Sequence, residues 1–263
     1  MSAGGSGRVK RTVWTAGEVC EGTDFVATET AVAMVYNGIS HVVMMATPAD
    51  LEDFALGFSL SEGILTSPKQ LLDCEVLKTD RGIELALTIT AEPFNGLKKR
   101  RRNLVGRTGC GLCGAESLEQ AVTTPNKISA GLSIRHRALQ LAIGALSNAQ
   151  QLQQQTGAVH GAAWCNSEGE ILLVREDVGR HNALDKLLGA LSKQEQGEGF
   201  VLVTSRASYE MVAKTASANI PLLAAVSAPT SLAIELAETA GLTLVGFSRT
   251  GRHVTYAHGQ RIN

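Results

Sequence analysis

The sequence predicts an α/β fold: a mixed sheet with covering helices, preceded by a smaller strand-rich N-terminal part. Three observations carry that prediction. After Ser129, apolar segments alternate between strand and helix periodicity. From Thr12 to about residue 90, short β-branched runs are separated by turn residues. An apolar content of 44% over 263 residues is enough for a sizeable core without disulfide staples. The expected organisation is a disordered leader over 1–11, a strand-rich part over 12–125 ending in a mobile Cys-x-x-Cys loop, and an α/β domain over 126–263.

The leader expectation rests on Met1-Ser2-Ala3-Gly4-Gly5-Ser6-Gly7, which has no apolar segment. Residues 31–36 and 39–46 then form a hairpin, because Asn37-Gly38 supplies the two positive φ angles of a type I′ turn. Pro48 and Asp50 open a helix in which Leu51, Phe54, Ala55 and Phe58 recur at helical spacing, and Gly63 ends it. Strands over 74–78 and 83–90 flank Asp80-Arg81-Gly82, and Cys74 reads as a buried apolar residue. Over 91–125 regular periodicity is lost. Ser133 is placed to cap a helix with a Leu139, Ile143 and Leu146 stripe, and its glutamine-rich continuation stops at Gly157. Strands follow at 171–174, 200–204, 222–226 and 242–247, with helices at 183–191, 209–218 and 231–240 between them. In such sheets ligands gather at the carboxyl ends of the strands.

Net charge is −1, which argues against a nucleic-acid binder despite the basic run Lys98-Lys99-Arg100-Arg101-Arg102. No stretch has the length of a membrane span, so a cytoplasmic protein is expected. Five scattered cysteines fit a reducing compartment. Two of them form Arg107-Thr108-Gly109-Cys110-Gly111-Leu112-Cys113-Gly114, in which glycines open both sulfurs to a bulky partner. A zinc site would need two further ligands, and no second pair is present. A disulfide-exchange couple would open a helix after a strand, which this pair does not. An exposed thiolate favoured by Arg107 and the basic run, suited to covalent group transfer, is the third reading.

Three strand-end segments are rich in arginine. The first is Arg175-Glu176-Asp177-Val178-Gly179-Arg180-His181-Asn182, with Asp185 one turn on, and the second is Thr204-Ser205-Arg206-Ala207-Ser208. The third comprises Phe247, Ser248, Arg249, Thr250, Gly251 and Arg252, where two guanidiniums beside a glycine backbone suit phosphate oxygens. Together they imply an anionic, phosphorylated ligand. His160 among small residues reads as structural, and Cys165 as a buried thiol.

The cysteine loop, the stretch Glu176-Asp177-Val178-Gly179-Arg180-His181-Asn182-Ala183, the stretch Thr204-Ser205-Arg206-Ala207-Ser208-Tyr209-Glu210-Met211 and the ending Gly246-Phe247-Ser248-Arg249-Thr250-Gly251-Arg252 together resemble the FdhD family of formate dehydrogenase accessory sulfur carriers. The resemblance implies a cytidine-deaminase-like main domain. It implies a sulfurtransferase-type activity in which Cys110 accepts sulfur from a cysteine desulfurase as a persulfide. Cys113 assists by attacking that persulfide. The sulfur passes to the molybdenum bis(guanine dinucleotide) cofactor, bound as substrate by Phe247, Ser248, Arg249, Thr250, Gly251 and Arg252, before insertion into formate dehydrogenase. The expected partners are the desulfurase, formate dehydrogenase and a second copy of the chain in a homodimer. His160 falls near the zinc histidine of deaminases, but the accompanying glutamate is missing and no metal is expected. The alternative is a non-catalytic chaperone for the cofactor or the apoenzyme.

Overall fold

The computed structural model describes residues 5–104, 127–129, 131–195 and 197–263. Among them, three sheets form. Strands β1 (Ser6–Thr15) and β2 (Glu18–Ala27) make an antiparallel ribbon. Strands β3 (Thr30–Tyr36), β4 (Ile39–Ala46), β5 (Leu71–Thr79) and β6 (Gly82–Ile89) form a four-stranded sheet in the order β4-β3-β6-β5. The largest sheet takes β7 (His160–Asn166), β8 (Ile171–Asp177), β9 (Gly199–Val203), β10 (Leu222–Ala225), β11 (Thr243–Arg249) and β12 (Arg252–Ala257) in the order β12-β11-β10-β9-β7-β8. Strands β9, β10 and β11 run parallel, whereas β7, β8 and β12 join antiparallel. The sheet is therefore mixed, as the sequence predicts.

Local chemistry explains most elements. Asn37 and Gly38 take φ of 46° and 80° in the β3–β4 turn, the two positive values a type I′ hairpin needs. Helix α1 (Leu51–Ser61) lays Leu51, Phe54, Ala55 and Phe58 on Val32, Met34, Tyr36, Leu85 and Leu87 of the four-stranded sheet. The buried runs of β9 and β10 feed both faces of the large sheet, so they read as continuous apolar stretches rather than alternating ones. On one face Val201, Val203, Leu223 and Leu244 meet helices α5 (Arg180–Ser192), α6 (Tyr209–Ser217) and α7 (Ser231–Ala240). On the other, Phe200, Leu202, Ala224 and Val245 meet Leu139, Ala142 and Leu146 of α3 (His136–Ala149). A short helix α4 (Gln151–Thr156) follows and ends at Gly157 in the left-handed region, φ 68°.

Four expectations need correction. Residues 6–11 belong to strand β1 rather than to a disordered leader; its alternation of polar and apolar residues is weak because most of the ribbon is exposed. Residues 91–104 form helix α2 (Ala91–Leu104) instead of an irregular stretch. Its apolar stripe is thin, with Phe94 and Leu97 joining the core and Lys98 lying 4.4 Å from the Phe94 ring centre. Strand β7 was not anticipated, because His160-Gly161-Ala162-Ala163 lacks the branched residues that signal a strand. The small residues are required there: a side chain on Gly161 would collide with Gln150. The α3 N-cap is Arg135, not Ser133, since Ile134 is drawn into a bridge with Ile262.

The two larger sheets are joined by α1 lying on α5. Gly57 and Gly189 let the backbones touch: a Cβ on Gly57 would strike the Asp185 carbonyl oxygen, and one on Gly189 that of Asp53. Ion pairs frame the crossing, Asp53 with Arg175 (2.7 Å) and Lys193 (2.6 Å), and Lys214 with Glu62 (2.7 Å) and Asp185 (3.0 Å). Gly189→Ala is expected to lower the urea midpoint by the equivalent of about 1–3 kcal/mol, because rigid backbone on both sides leaves the methyl nowhere to go. An unchanged midpoint would mean that the helices can separate freely.

Candidate functional site

Topology gathers the polar strand ends on one edge of the large sheet. The carboxyl ends of β8, β9, β10 and β11 lie there, together with the first residue of antiparallel β7. Hydrogen bonds stitch the segments laterally: Thr204 N–H to the Gly161 oxygen (3.0 Å), Ser227 N–H to the Ser205 oxygen (3.3 Å) and Phe247 N–H to the Ser227 oxygen (3.0 Å). The Thr204 hydroxyl also receives the Gly161 N–H (3.0 Å) and lies 3.5 Å from His160 Nδ1.

The cluster around residue 177 splits in two. Its larger part is structural. Asp177 is fully buried, pairs with fully buried Lys186 (2.7 Å), and accepts from Thr47 N–H (2.9 Å), Gly179 N–H (2.8 Å) and Asn182 Nδ2 (3.0 Å). Glu176 caps α4 through the Leu152 and Gln153 N–H groups, both at 2.8 Å. Arg175 is held by Asp53 and Asp185 by Ser61 (2.6 Å) and Lys214. Arg180 and His181, at the first turn of α5, take no part in these contacts.

There His181 Nε2 lies 2.7 Å from Glu210 Oε2, at the start of α6. The hydrogen bond from His181 holds the Glu210 carboxyl below its usual range. Burial, then the charges of Arg180 and His181, lower the His160 pKa and favour its neutral imidazole. In the sequence Glu210 stands only as part of the stretch over 204–211, with no role of its own, because its pairing with His181 has no signature along the chain.

Besides His181 Nε2, whose one partner is the close Glu210 carboxylate, three polar atoms in these segments are buried without a hydrogen-bond partner among the described residues: Arg180 Nε, Ser208 Oγ and Ser248 Oγ. Ser208 is the N-cap of α6 and makes no side-chain cap bond. Unmet donors beside a helix N-terminus and arginines suit an anion. Phe247, beside Ser248, holds a left-handed φ of 49° within an irregular part of the β11–β12 pairing. Such strain in a non-glycine residue is retained where neighbouring structure enforces it. Arg249, Thr250, Gly251 and Arg252 form the exposed tip of that hairpin, so the six-residue segment ends β11 with Phe247, Ser248 and Arg249, turns at Thr250 and Gly251, and opens β12 with Arg252, a strand the sequence does not announce.

Cys110 and Cys113 lie outside the described residues. The described cysteines are poor substitutes: burial pushes Cys165 up to about 12 and Cys74 up to about 11, while Cys20 is exposed on β2. Among the described residues no three His, Cys, Asp or Glu side chains cluster as metal ligands. A groove of about 1260 Å³ opens at the opposite edge of the sheet, lined by Leu65, Trp164, Leu188, Leu191, Ile220 and Pro221. It carries no arginine, histidine or cysteine among the described residues, so its size does not make it the centre of the chemistry. No helix among the described residues is long and apolar enough to cross a membrane.

Comparison with known proteins follows the same line. The FdhD/NarQ family model matches residues 27–263. The sulfur carrier protein FdhD of Cupriavidus necator is 58% identical over 251 residues, covering 95% of this chain and 87% of that one. The sulfur carrier protein FdhD of Variovorax paradoxus is 54% identical over 242 residues, covering 91% and 87%. The crystal structure of a proposed formate dehydrogenase accessory protein from Desulfotalea psychrophila superposes with a TM-score of 0.75 at 26% identity, over 98% of this chain and all of the other.

Proposed function

The chain belongs to the FdhD/NarQ family, and on that footing we propose that it is a sulfur carrier serving formate dehydrogenase. The observation that carries the reading is the 58% identity with a sulfur carrier protein over nearly the whole chain. In the full scheme, the Cys110 thiolate attacks the outer sulfur of a cysteine desulfurase persulfide. The desulfurase cysteine leaves as a thiolate and Cys110 holds the persulfide. Cys113 then attacks the Cys110 sulfur, releasing hydrosulfide to the molybdenum bis(guanine dinucleotide) substrate and leaving a disulfide for a cellular dithiol to reduce.

The receiving end of the scheme is the arginine-bearing edge. Phe247, Ser248, Arg249, Thr250, Gly251 and Arg252 hold the substrate's phosphates, with the buried Ser248 hydroxyl supplying an unused donor. The same scheme takes the main domain as cytidine-deaminase-like and the protein as a cytoplasmic homodimer. Incubation with a desulfurase and cysteine is expected to add about 32 Da, one sulfur atom, to the peptide carrying Cys110. Loading that persists in Cys110→Ala would remove Cys110 as the carrier.

A further inference from the structure

The tip of the β11–β12 hairpin is tethered to α3 through the Gln140 side chain, whose hydrogen bonds have a fixed direction. The Gly251 N–H donates to Gln140 Oε1 (2.7 Å). A backbone amide nitrogen can only donate, so the Gln140 amide must turn its NH₂ the other way. That NH₂ lies 2.9 Å from His253 Nδ1, which must accept and therefore carries no proton. A neutral His253 then bears its proton on Nε2, which lies 2.9 Å from His136 Nδ1, with the ring planes 27° apart. His136 accepts in its turn, so its Nδ1 is bare as well.

We infer that Gln140, His253 and His136 are positioning residues: they form a one-way hydrogen-bond relay that holds the Arg249-Thr250-Gly251-Arg252 turn in place for its ligand only while both accepting imidazole nitrogens are unprotonated. The inference rests on the reading of residues 247–252 as the phosphate-binding segment. A proton on His253 Nδ1 would face the Gln140 NH₂, donor against donor. Flipping the amide would satisfy the imidazolium but set the NH₂ against the Gly251 N–H. A proton on His136 Nδ1 would confront the His253 N–H. Each route costs one link of the relay.

The surroundings favour the neutral form. Burial, then the neighbouring His136, hold the His253 pKa below its ordinary value of 6.5. The charged groups on the packed elements include Arg135 and Arg137 beside His136, Arg249 and Arg252 on the hairpin, Glu235 and Glu238 on α7 against β12, and Arg261, while the backbone N–H of His136 donates to the Asn263 backbone oxygen (2.9 Å). A base with a lowered pKa stays neutral at neutral pH, so the relay is intact there and is lost as pH falls through the lowered pKa.

The test uses the ¹⁵N-labelled full chain, following the Gly251 amide resonance and guanosine diphosphate affinity from about pH 8 to about pH 5. The Gly251 resonance is expected to titrate with a midpoint below 6.5 in the native chain and to lie flat in Gln140→Leu. Affinity is expected to weaken over that range about fivefold more in the native chain than in Gln140→Leu, within the tenfold per pH unit that one linked proton allows. Gln140→Glu offers a carboxylate that accepts from both Gly251 and a protonated His253, so it should move the midpoint upward and remove the acid weakening. A Gly251 resonance that does not titrate, or titrates identically in Gln140→Leu, overturns the relay. If the titration stands while Arg252→Ala leaves guanosine diphosphate binding unchanged, the relay is supported and the phosphate-binding reading of the turn fails.

Discussion

Formate dehydrogenase activity in cells whose sole copy of this protein carries Cys110→Ala is expected to fall to the level of cells lacking the protein. Covalent relay has no substitute for its nucleophile, whereas an escort needs only its binding surface. The other thiols among the described residues cannot take over. With a pKa of about 11 for Cys74 and about 12 for Cys165, neither supplies useful thiolate at neutral pH. Cys20 is exposed, but it stands on the β1–β2 ribbon rather than beside the arginine-bearing edge, and Cys20→Ala is expected to leave activity unchanged. Cys113→Ala should retain partial activity if that residue only speeds release. Full activity with Cys110→Ala would support the escort alternative, provided the variant protein accumulates normally.

The elements legible in the sequence are those whose chemistry is local. Asn37-Gly38 announces its hairpin because few other pairs tolerate two positive φ angles. The apolar runs of β9 and β10 announce buried parallel strands because both faces are covered. Strand β7 was hidden because packing against Gln150 and the flanking helices selects Gly161, Ala162 and Ala163, residues that mark no strand on their own. Helix α2 was hidden because only a thin stripe of it is buried.

The candidate site was legible as a set of arginine-rich strand ends, but their division of labour was not. Arg175, Glu176, Asp177 and Asn182 look like one polar cluster with Arg180 and His181. Their partners decide otherwise, and those partners come from far along the chain: Thr47 for Asp177, Asp53 for Arg175, Met45 for Asn182. Sequence adjacency records which residues follow one another, and here residues tied to distant partners and residues of the candidate site follow each other within a few positions. The Gln140–His253 contact, spanning 113 positions, is invisible for the same reason.

The fully buried ion pair beneath this edge sets the second large effect: Lys186→Ala is expected to cost about 3–5 kcal/mol, the usual penalty for stripping one partner from a buried pair. Lys186 Nζ lies 2.7 Å from Asp177 Oδ2 and donates to the Thr47 oxygen (2.9 Å), while Asp177 receives the Thr47 N–H. Truncation leaves a carboxylate with hydrogen-bond donors but no countercharge, and leaves the Thr47 carbonyl with the Ala49 N–H (2.8 Å) as its remaining donor. For a chain of this size the melting temperature should fall by roughly 10 °C. The double variant Lys186→Met with Asp177→Asn buries no net charge and should recover part of the loss, because the desolvation cost of both ions disappears with them. The pair also fixes where Val178 and Gly179 leave β8, since Asp177 accepts the Gly179 N–H and Thr47 Oγ1 accepts the Val178 N–H (3.1 Å). Arg180 and His181 take their aim from that exit. Guanosine diphosphate binding by Lys186→Ala, measured well below its lowered melting temperature, should therefore weaken as well, and native affinity in a destabilised variant would show that the edge is organised independently of the pair beneath it.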